Sequence, residues 1–143
     1  MTLLQKNLFI KTSGIPDAGN GLFTKQFIGK GTRIIEYTGK ITTWNRILQV
    51  EQDTKIINRY LYYLDNDHVI DASDHPNALA RYANDANGLV RLKGKVNNAK
   101  YVEENAQVFM EATKDIPVGA EIFISYGKEY WDTVKNLIAC QQI

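Results

Sequence analysis

Lys114-Asp115-Ile116-Pro117-Val118-Gly119-Ala120-Glu121-Ile122-Phe123-Ile124-Ser125-Tyr126-Gly127 decides how this chain is read. Ile116-Pro117-Val118-Gly119 is a tight-turn signal. Ile122-Phe123-Ile124-Ser125, just after it, is a short β-favouring run. The run delivers one tyrosine, Tyr126, directly against Gly127. A tyrosine at a strand end carries an apolar body and a hydroxyl that needs a partner when buried.

Outward from this stretch the chain is a succession of short strands. Leu8-Phe9-Ile10-Lys11-Thr12 is apolar and β-branched, and Ser13-Gly14-Ile15-Pro16-Asp17 breaks it. Gly21-Leu22-Phe23-Thr24 predicts a second strand and Arg33-Ile34-Ile35-Glu36-Tyr37 a third, closed by Gly39. Trp44, Ile47 and Leu48 share a helical face, as do Ile56, Ile57, Tyr60 and Leu61, so one or two helices are expected between Thr43 and Arg59. Thr43 is placed to cap the first. Leu61 to Leu64 and His68 to Asp71, joined by Asp65-Asn66-Asp67, predict a hairpin. Asn77 to Arg81 predicts a helical turn, and Tyr101–Glu103 and Gln107–Ala112 predict strands. Trp131, Val134, Leu137 and Ile138 predict an amphipathic tail helix. His68 and His75 sit beside aspartates, as surface-loop residues would. Many short strands with few helices exclude a regularly alternating βαβ layout.

The 143 residues amount to one domain, expected over 1–143. Seventeen basic residues face sixteen acidic ones, which argues against nucleic-acid binding by bulk charge. The single cysteine, Cys140, makes no intramolecular disulfide and no cysteine zinc cluster, and two histidines are too few for a histidine metal site. No metal is therefore expected. No apolar run approaches a membrane span, and Met1 to Lys6 is not a signal peptide. An intracellular protein is expected, cytoplasmic if the source is bacterial. Cys140 has no local histidine, which argues against a cysteine hydrolase.

Three further segments accompany the last one: Gly19-Asn20-Gly21 before Leu22-Phe23, Glu36-Tyr37-Thr38-Gly39, and Arg81-Tyr82-Ala83-Asn84-Asp85-Ala86. Taken singly they read as a glycine turn, a strand end and a loop with a capping asparagine. In this order and spacing, from about Phe9 to Trp131, they resemble the SET-domain protein-lysine methyltransferases. The likeness is to the compact viral and bacterial type, without flanking zinc modules. It implies a mostly β fold with a few helices, β-clip-like, with a C-terminal pseudoknot in which the third and fourth motifs thread through each other.

The resemblance also implies the chemistry. A methyl group would pass from S-adenosyl-L-methionine to the ε-amine of a protein lysine, leaving S-adenosyl-L-homocysteine. Tyr126 falls on the catalytic tyrosine. Gly19, Asn20, Gly21, Tyr60, Arg81, Asn84, Asp85 and Trp131 fall on or near cofactor-binding positions. Tyr37, Tyr62, Tyr63 and Ile124 fall on the lysine channel. Tyr130-Trp131 is placed for the C-terminal aromatic that closes on the cofactor in compact relatives, or for anchoring the tail.

The chain departs from the family at Asp85, commonly histidine, and at Ala86, commonly serine. Ile124 replaces the Phe or Tyr that often sets how many methyls are added, which implies a site permitting more than one. The expected partner is a lysine-bearing protein or peptide, in a histone or another basic tail, with no direct nucleic-acid or membrane contact. A homodimer is compatible with the sequence but not specified by it. Two other readings stand: a catalytically weak SET-like module that recognises a protein tail, and a β-rich adaptor with an aromatic interface.

Overall fold

The computed structural model describes residues 3–56, 60–64, 67–88, 91–127, 131–132, 135–136 and 139. The strands are β1 (Leu8–Thr12), β2 (Asn20–Thr24), β3 (Arg33–Glu36), β4 (Lys40–Thr43), β5 (Leu61–Tyr63), β6 (His68–Asp71), β7 (Ala99–Glu104), β8 (Gln107–Ala112) and β9 (Glu121–Ile122). Helix α1 spans Trp44–Thr54, and short 3-10 turns cover Gln5–Asn7 and Leu79–Tyr82. The strands form three antiparallel sheets, ordered β1-β2-β9, β3-β8-β7 and β4-β6-β5. This is the mostly β architecture with a few helices that the sequence predicts.

Local chemistry sets the connections. β7 and β8 are joined by Asn105-Ala106, both at positive φ (52° and 64°), the conformation a two-residue hairpin matching strand twist requires. Gly39 lets β4 leave β3 beside β6, because a Cβ there would stand 2.5 Å from the Asp71 carbonyl oxygen. Thr43 caps α1, its hydroxyl accepting from the Arg46 N–H at 3.2 Å. The helix ends where Lys55 enters the left-handed region at φ 62°. Ile56 therefore lies beyond the helix and is 70% exposed, not on a helical face as its spacing predicts. Of the expected face Trp44, Ile47 and Leu48, only Ile47 is buried. Ile57 and Arg59 lie outside the described residues, as do Asp65, Asn66, Tyr130, Val134, Leu137, Ile138 and Cys140.

Two further differences concern the third sheet. β4 is absent from the sequence reading because Lys40-Ile41-Thr42-Thr43 has no buried alternation, and its register is imposed by β6. His68 belongs to β6, not to a loop, although it is exposed; His75 is an exposed turn residue.

The core joins the first two sheets through Leu22, Ile28, Ile34, Val108, Met110, Ile116, Ile122 and Ile124, each with at most 2% of its surface exposed. The end of the last strand builds the site. Ile122 pairs with Leu22 of β2. One step on, the Ile124 N–H donates to the Asn84 carbonyl at 2.8 Å, while the Phe123 carbonyl accepts from Asn98 N (2.9 Å) and Ala99 N (3.0 Å). The carbonyl and N–H of one peptide point opposite ways, so residues 123–124 run between the two ends of the 84–99 segment. The side chain of Asn98 reinforces the slot, accepting from Phe123 N at 2.9 Å and donating to the Glu121 carbonyl at 3.0 Å.

Candidate active site

Tyr126 emerges from that slot. Its hydroxyl donates to the carbonyl of buried Ala83, 2.5 Å away. A tyrosine hydroxyl has one proton and two acceptor lone pairs. With the one proton directed to Ala83, any further hydrogen bond at the phenol oxygen is one it accepts.

The Tyr126 backbone is pinned as well. Its N–H donates to Asp85 Oδ2 at 2.9 Å, and the same oxygen accepts from the indole Nε1 of Trp131 at 2.8 Å. Asp85 Oδ1 accepts from Asn87 N (2.8 Å) and Asn97 Nδ2 (2.9 Å). The carboxylate is thus spent on the chain itself. The rings of Tyr126 and Trp131 stack with centroids 5.8 Å apart and planes 17° from parallel. Gly88 makes room for the indole, since a Cβ there would stand 2.4 Å from Trp131 Cζ2.

The first and third motifs meet through Asn84, whose Nδ2 donates to the Asn20 carbonyl at 3.0 Å. Gly19 stands beside it at φ +73°, with open space where a side chain would begin. Gly21 is buried against the Glu121 carboxylate, which accepts from Ser13 Oγ (2.6 Å) and Gly14 N (2.9 Å). The glycine turn and the last strand are therefore braced on one carboxylate.

Tyr60 and Arg81 form a second group. The guanidinium lies 4.2 Å from the Tyr60 ring centroid and 4.8 Å from that of Tyr82, and Nη1 donates to the carbonyls of Ala72 and Ser73 at 2.9 Å each. Arg81 Nε is buried with no hydrogen-bond partner among the described residues.

Tyr37 and Tyr62 come together with a third ring that the sequence reading did not assign to the site, Tyr101. Centroid separations are 6.1 Å (Tyr37–Tyr62), 6.0 Å (Tyr37–Tyr101) and 4.9 Å (Tyr62–Tyr101). Tyr101 is on β7 and arrives through sheet pairing with β8 and β3; nothing in its local sequence marks it. Burial, and then the charges of Tyr126, Tyr37, Tyr62 and Asp85, hold its phenol well above the usual tyrosine range. Tyr62 is raised too, by burial, then by its 2.8 Å hydrogen bond to Glu103 Oε1 and that carboxylate's charge. Tyr37 belongs to the main core, and Tyr62, Tyr101 and Tyr126 all pack against it. A concavity of about 490 Å³, lined by Ile41, Leu64, His68 and Glu103 among others, adjoins the aromatic cluster on the Glu103 side.

Two channel positions do not join the cluster. Tyr63 is half exposed and packs edge-on against Trp44 at 5.2 Å, because neighbours on a strand face opposite ways. Ile124 is fully buried in the core.

The residues fit a sulfonium-bearing nucleoside. The turn at Gly19 is open, Asn20 and Asn84 are exposed or half-exposed amides, aromatic rings stand at Tyr60 and Trp131, and the buried Nε of Arg81 has no hydrogen-bond partner among the described residues. Aromatic faces attract cations and stack on flat rings. Among the described residues no three His, Cys, Asp or Glu side chains gather to hold a metal.

A threaded last strand that delivers one oriented tyrosine beside a glycine turn and an asparagine junction defines a family. The SET domain model matches residues 19–127, and the chain belongs to the SET-domain family. It is also 28% identical over 144 residues to the Histone-lysine N-methyltransferase EZH2 of Chaetomium thermophilum. That alignment covers 93% of this chain and 9% of the much longer relative.

Proposed function

We propose that this chain transfers a methyl group from S-adenosyl-L-methionine to the ε-amine of a lysine in a protein, in a histone or another basic tail. The observation that carries the reading is the setting of Tyr126: it follows a last strand held between Asn84 on one side and Asn98 and Ala99 on the other, and its hydroxyl proton is directed to the Ala83 carbonyl.

Gly19, Asn20, Asn84, Tyr60, Arg81 and Trp131 would hold the donor. When bound, it supplies an electrophilic methyl on a sulfonium. The chain's own residues do the rest. An exposed lysine has a pKa near 10.4, so supplying its neutral form at pH 7 costs about 4.6 kcal/mol. Aromatic walls at Tyr37, Tyr62 and Tyr101 lower that cost by excluding water from the ammonium. The Tyr126 oxygen accepts an N–H of the entering amine or a weak C–H contact, and so orients the nitrogen lone pair. Ile124 acts only through packing and brings no hydroxyl to restrain the amine, so the product is expected to carry more than one methyl. A mass spectrum stopping at one methyl under exhaustive conditions would remove that last element.

The test is transfer of labelled methyl to lysine-rich proteins, with Tyr126→Phe as control. Loss of the hydroxyl should lower the rate on the order of a hundredfold, because positioning alone can be worth that much. Undiminished transfer in the variant, or none in the natural chain, overturns the reading. Tail binding without transfer would point instead to the catalytically weak binding module.

A further inference from the structure

Asp85 has a neighbourhood built for a carboxylate. It is 6% exposed, and its four side-chain hydrogen bonds among the described residues are all ones it accepts. Two come from its own surroundings, Asn87 N and Asn97 Nδ2. The other two meet on one oxygen and come from Tyr126 N and Trp131 Nε1. A carboxylate has about four acceptor sites, whereas a neutral imidazole has one acceptor nitrogen and an amide one acceptor oxygen. Histidine at 85 would leave at least three of these donors unanswered. Trp131 cannot supply an acceptor in return, since its indole only donates. Gly88 completes the fit, because only a residue without Cβ admits the indole where it reaches Asp85.

We propose that Asp85 is a positioning residue that clamps Tyr126 and Trp131 into one unit through a single oxygen. It sets the phenol's backbone and the indole's plane together, so the stacked pair is presented to the donor as one rigid surface. Its carboxylate does not contact the donor. The proposal rests on the methyl-transfer reading for its use, though not for its structural content. Charge-assisted bonds are among the stronger hydrogen bonds, so removing one acceptor should be felt at both rings.

The experiment uses the full chain and five variants: Asp85→Asn, Asp85→His, Trp131→Phe, the Asp85→Asn/Trp131→Phe double variant, and Gly88→Ala. Affinity for S-adenosyl-L-homocysteine is measured by calorimetry. Thermal stability is measured for each, and Trp131 emission is recorded in a Trp44→Phe background, which leaves one tryptophan. Trp131→Phe keeps an aromatic ring but loses the donor N–H together with part of the indole's packing area, so affinity should fall on the order of tenfold. Asp85→Asn should fall at least as far, and the double variant no further than Asp85→Asn, because the two share one interaction. Asp85→His should fail to restore affinity, and Trp131 emission should shift to the red in Asp85→Asn and in Gly88→Ala.

Additive effects of Asp85→Asn and Trp131→Phe on stability, or unchanged Trp131 emission in Asp85→Asn, would overturn the clamp. So would natural affinity in Asp85→His. Should Asp85→Asn not fold, Trp131→Phe and Gly88→Ala carry the test, and natural affinity in both would overturn it. A natural chain that binds no S-adenosyl-L-homocysteine sinks the methyl-transfer reading instead, while the stability cycle and emission still decide the clamp.

Discussion

Asn84 reaches 64 positions back along the chain to Asn20, its amide nitrogen 3.0 Å from that residue's carbonyl oxygen. The bond holds the glycine turn against the residue whose own carbonyl anchors the last strand at Ile124. Asn84→Ala should therefore loosen the turn without unfolding the chain. A lost hydrogen bond of this kind costs about 1 kcal/mol. Calorimetry with S-adenosyl-L-homocysteine should show weaker binding together with a small drop in melting temperature. Asn84→Asp should bind more weakly still, since it sets oxygen against oxygen; equal affinity in all three proteins would contradict this account.

The two glycines of the first motif should respond differently to alanine. At Gly21 the new Cβ would stand 2.3 Å from Glu121 Oε2, a carboxylate already held by Ser13 and Gly14. Displacing that buried charge from its donors should cost about 2–3 kcal/mol. At Gly19 the space is open and only the positive φ objects, at about 1 kcal/mol. Denaturant melts of the two variants check the order, and the reverse order would show that the brace at Glu121 is not what fixes the turn.

Alkaline pH should destabilise the chain through its tyrosine cluster. The folded state holds Tyr62 and Tyr101 above their ordinary pKa, so each favours the neutral phenol more than the unfolded chain does. The stability this supplies is complete below the unfolded pKa of about 10 and is lost as pH climbs above it toward the raised folded values. Melting temperatures measured from neutral to strongly alkaline pH should fall less steeply for Tyr101→Phe and Tyr62→Phe than for the natural chain. Parallel curves would mean that these phenols do not titrate with unfolding.

Ala106 offers a stabilising change. It sits at φ 64° in the two-residue turn between β7 and β8, a conformation that costs an L-residue about 1–2 kcal/mol. Part of that is returned by glycine's greater unfolded-state freedom, about 0.4–1 kcal/mol. Ala106→Gly should raise the midpoint of denaturant unfolding slightly and leave the slope unchanged; a lower midpoint would argue that the turn is not strained.

Much of this fold is legible in the sequence wherever burial and turn chemistry agree. Strands β1, β2, β3 and β8 carry apolar residues at buried positions, Gly119 marks its turn, and Thr43 caps a helix as hydroxyls do. Strand β4 is not legible because its pairing with β6, and not its own pattern, makes it a strand. The helix ends earlier than its apolar spacing predicts because Lys55 turns left-handed before Ile56 can extend the face. In the site, Tyr126, Asn84 and the glycine turn are local signals in a fixed order. Tyr101 is not legible because three-strand pairing brings it in. The four bonds at Asp85 are hidden for a similar reason: their donors lie as far along the chain as Trp131.

The strand end at Phe123 and Ile124 is gripped on one flank by Asn84 and on the other by Asn98 and Ala99. Both walls must stand before the closing piece can slide home, so maturation of the machinery waits for contacts between distant parts of the polymer. Loop-closure entropy makes such late, non-local steps slow. Recovery from denaturant should thus return the native signal and ligand affinity in one synchronous phase, with no stage at which a finished pocket sits on an unfinished scaffold.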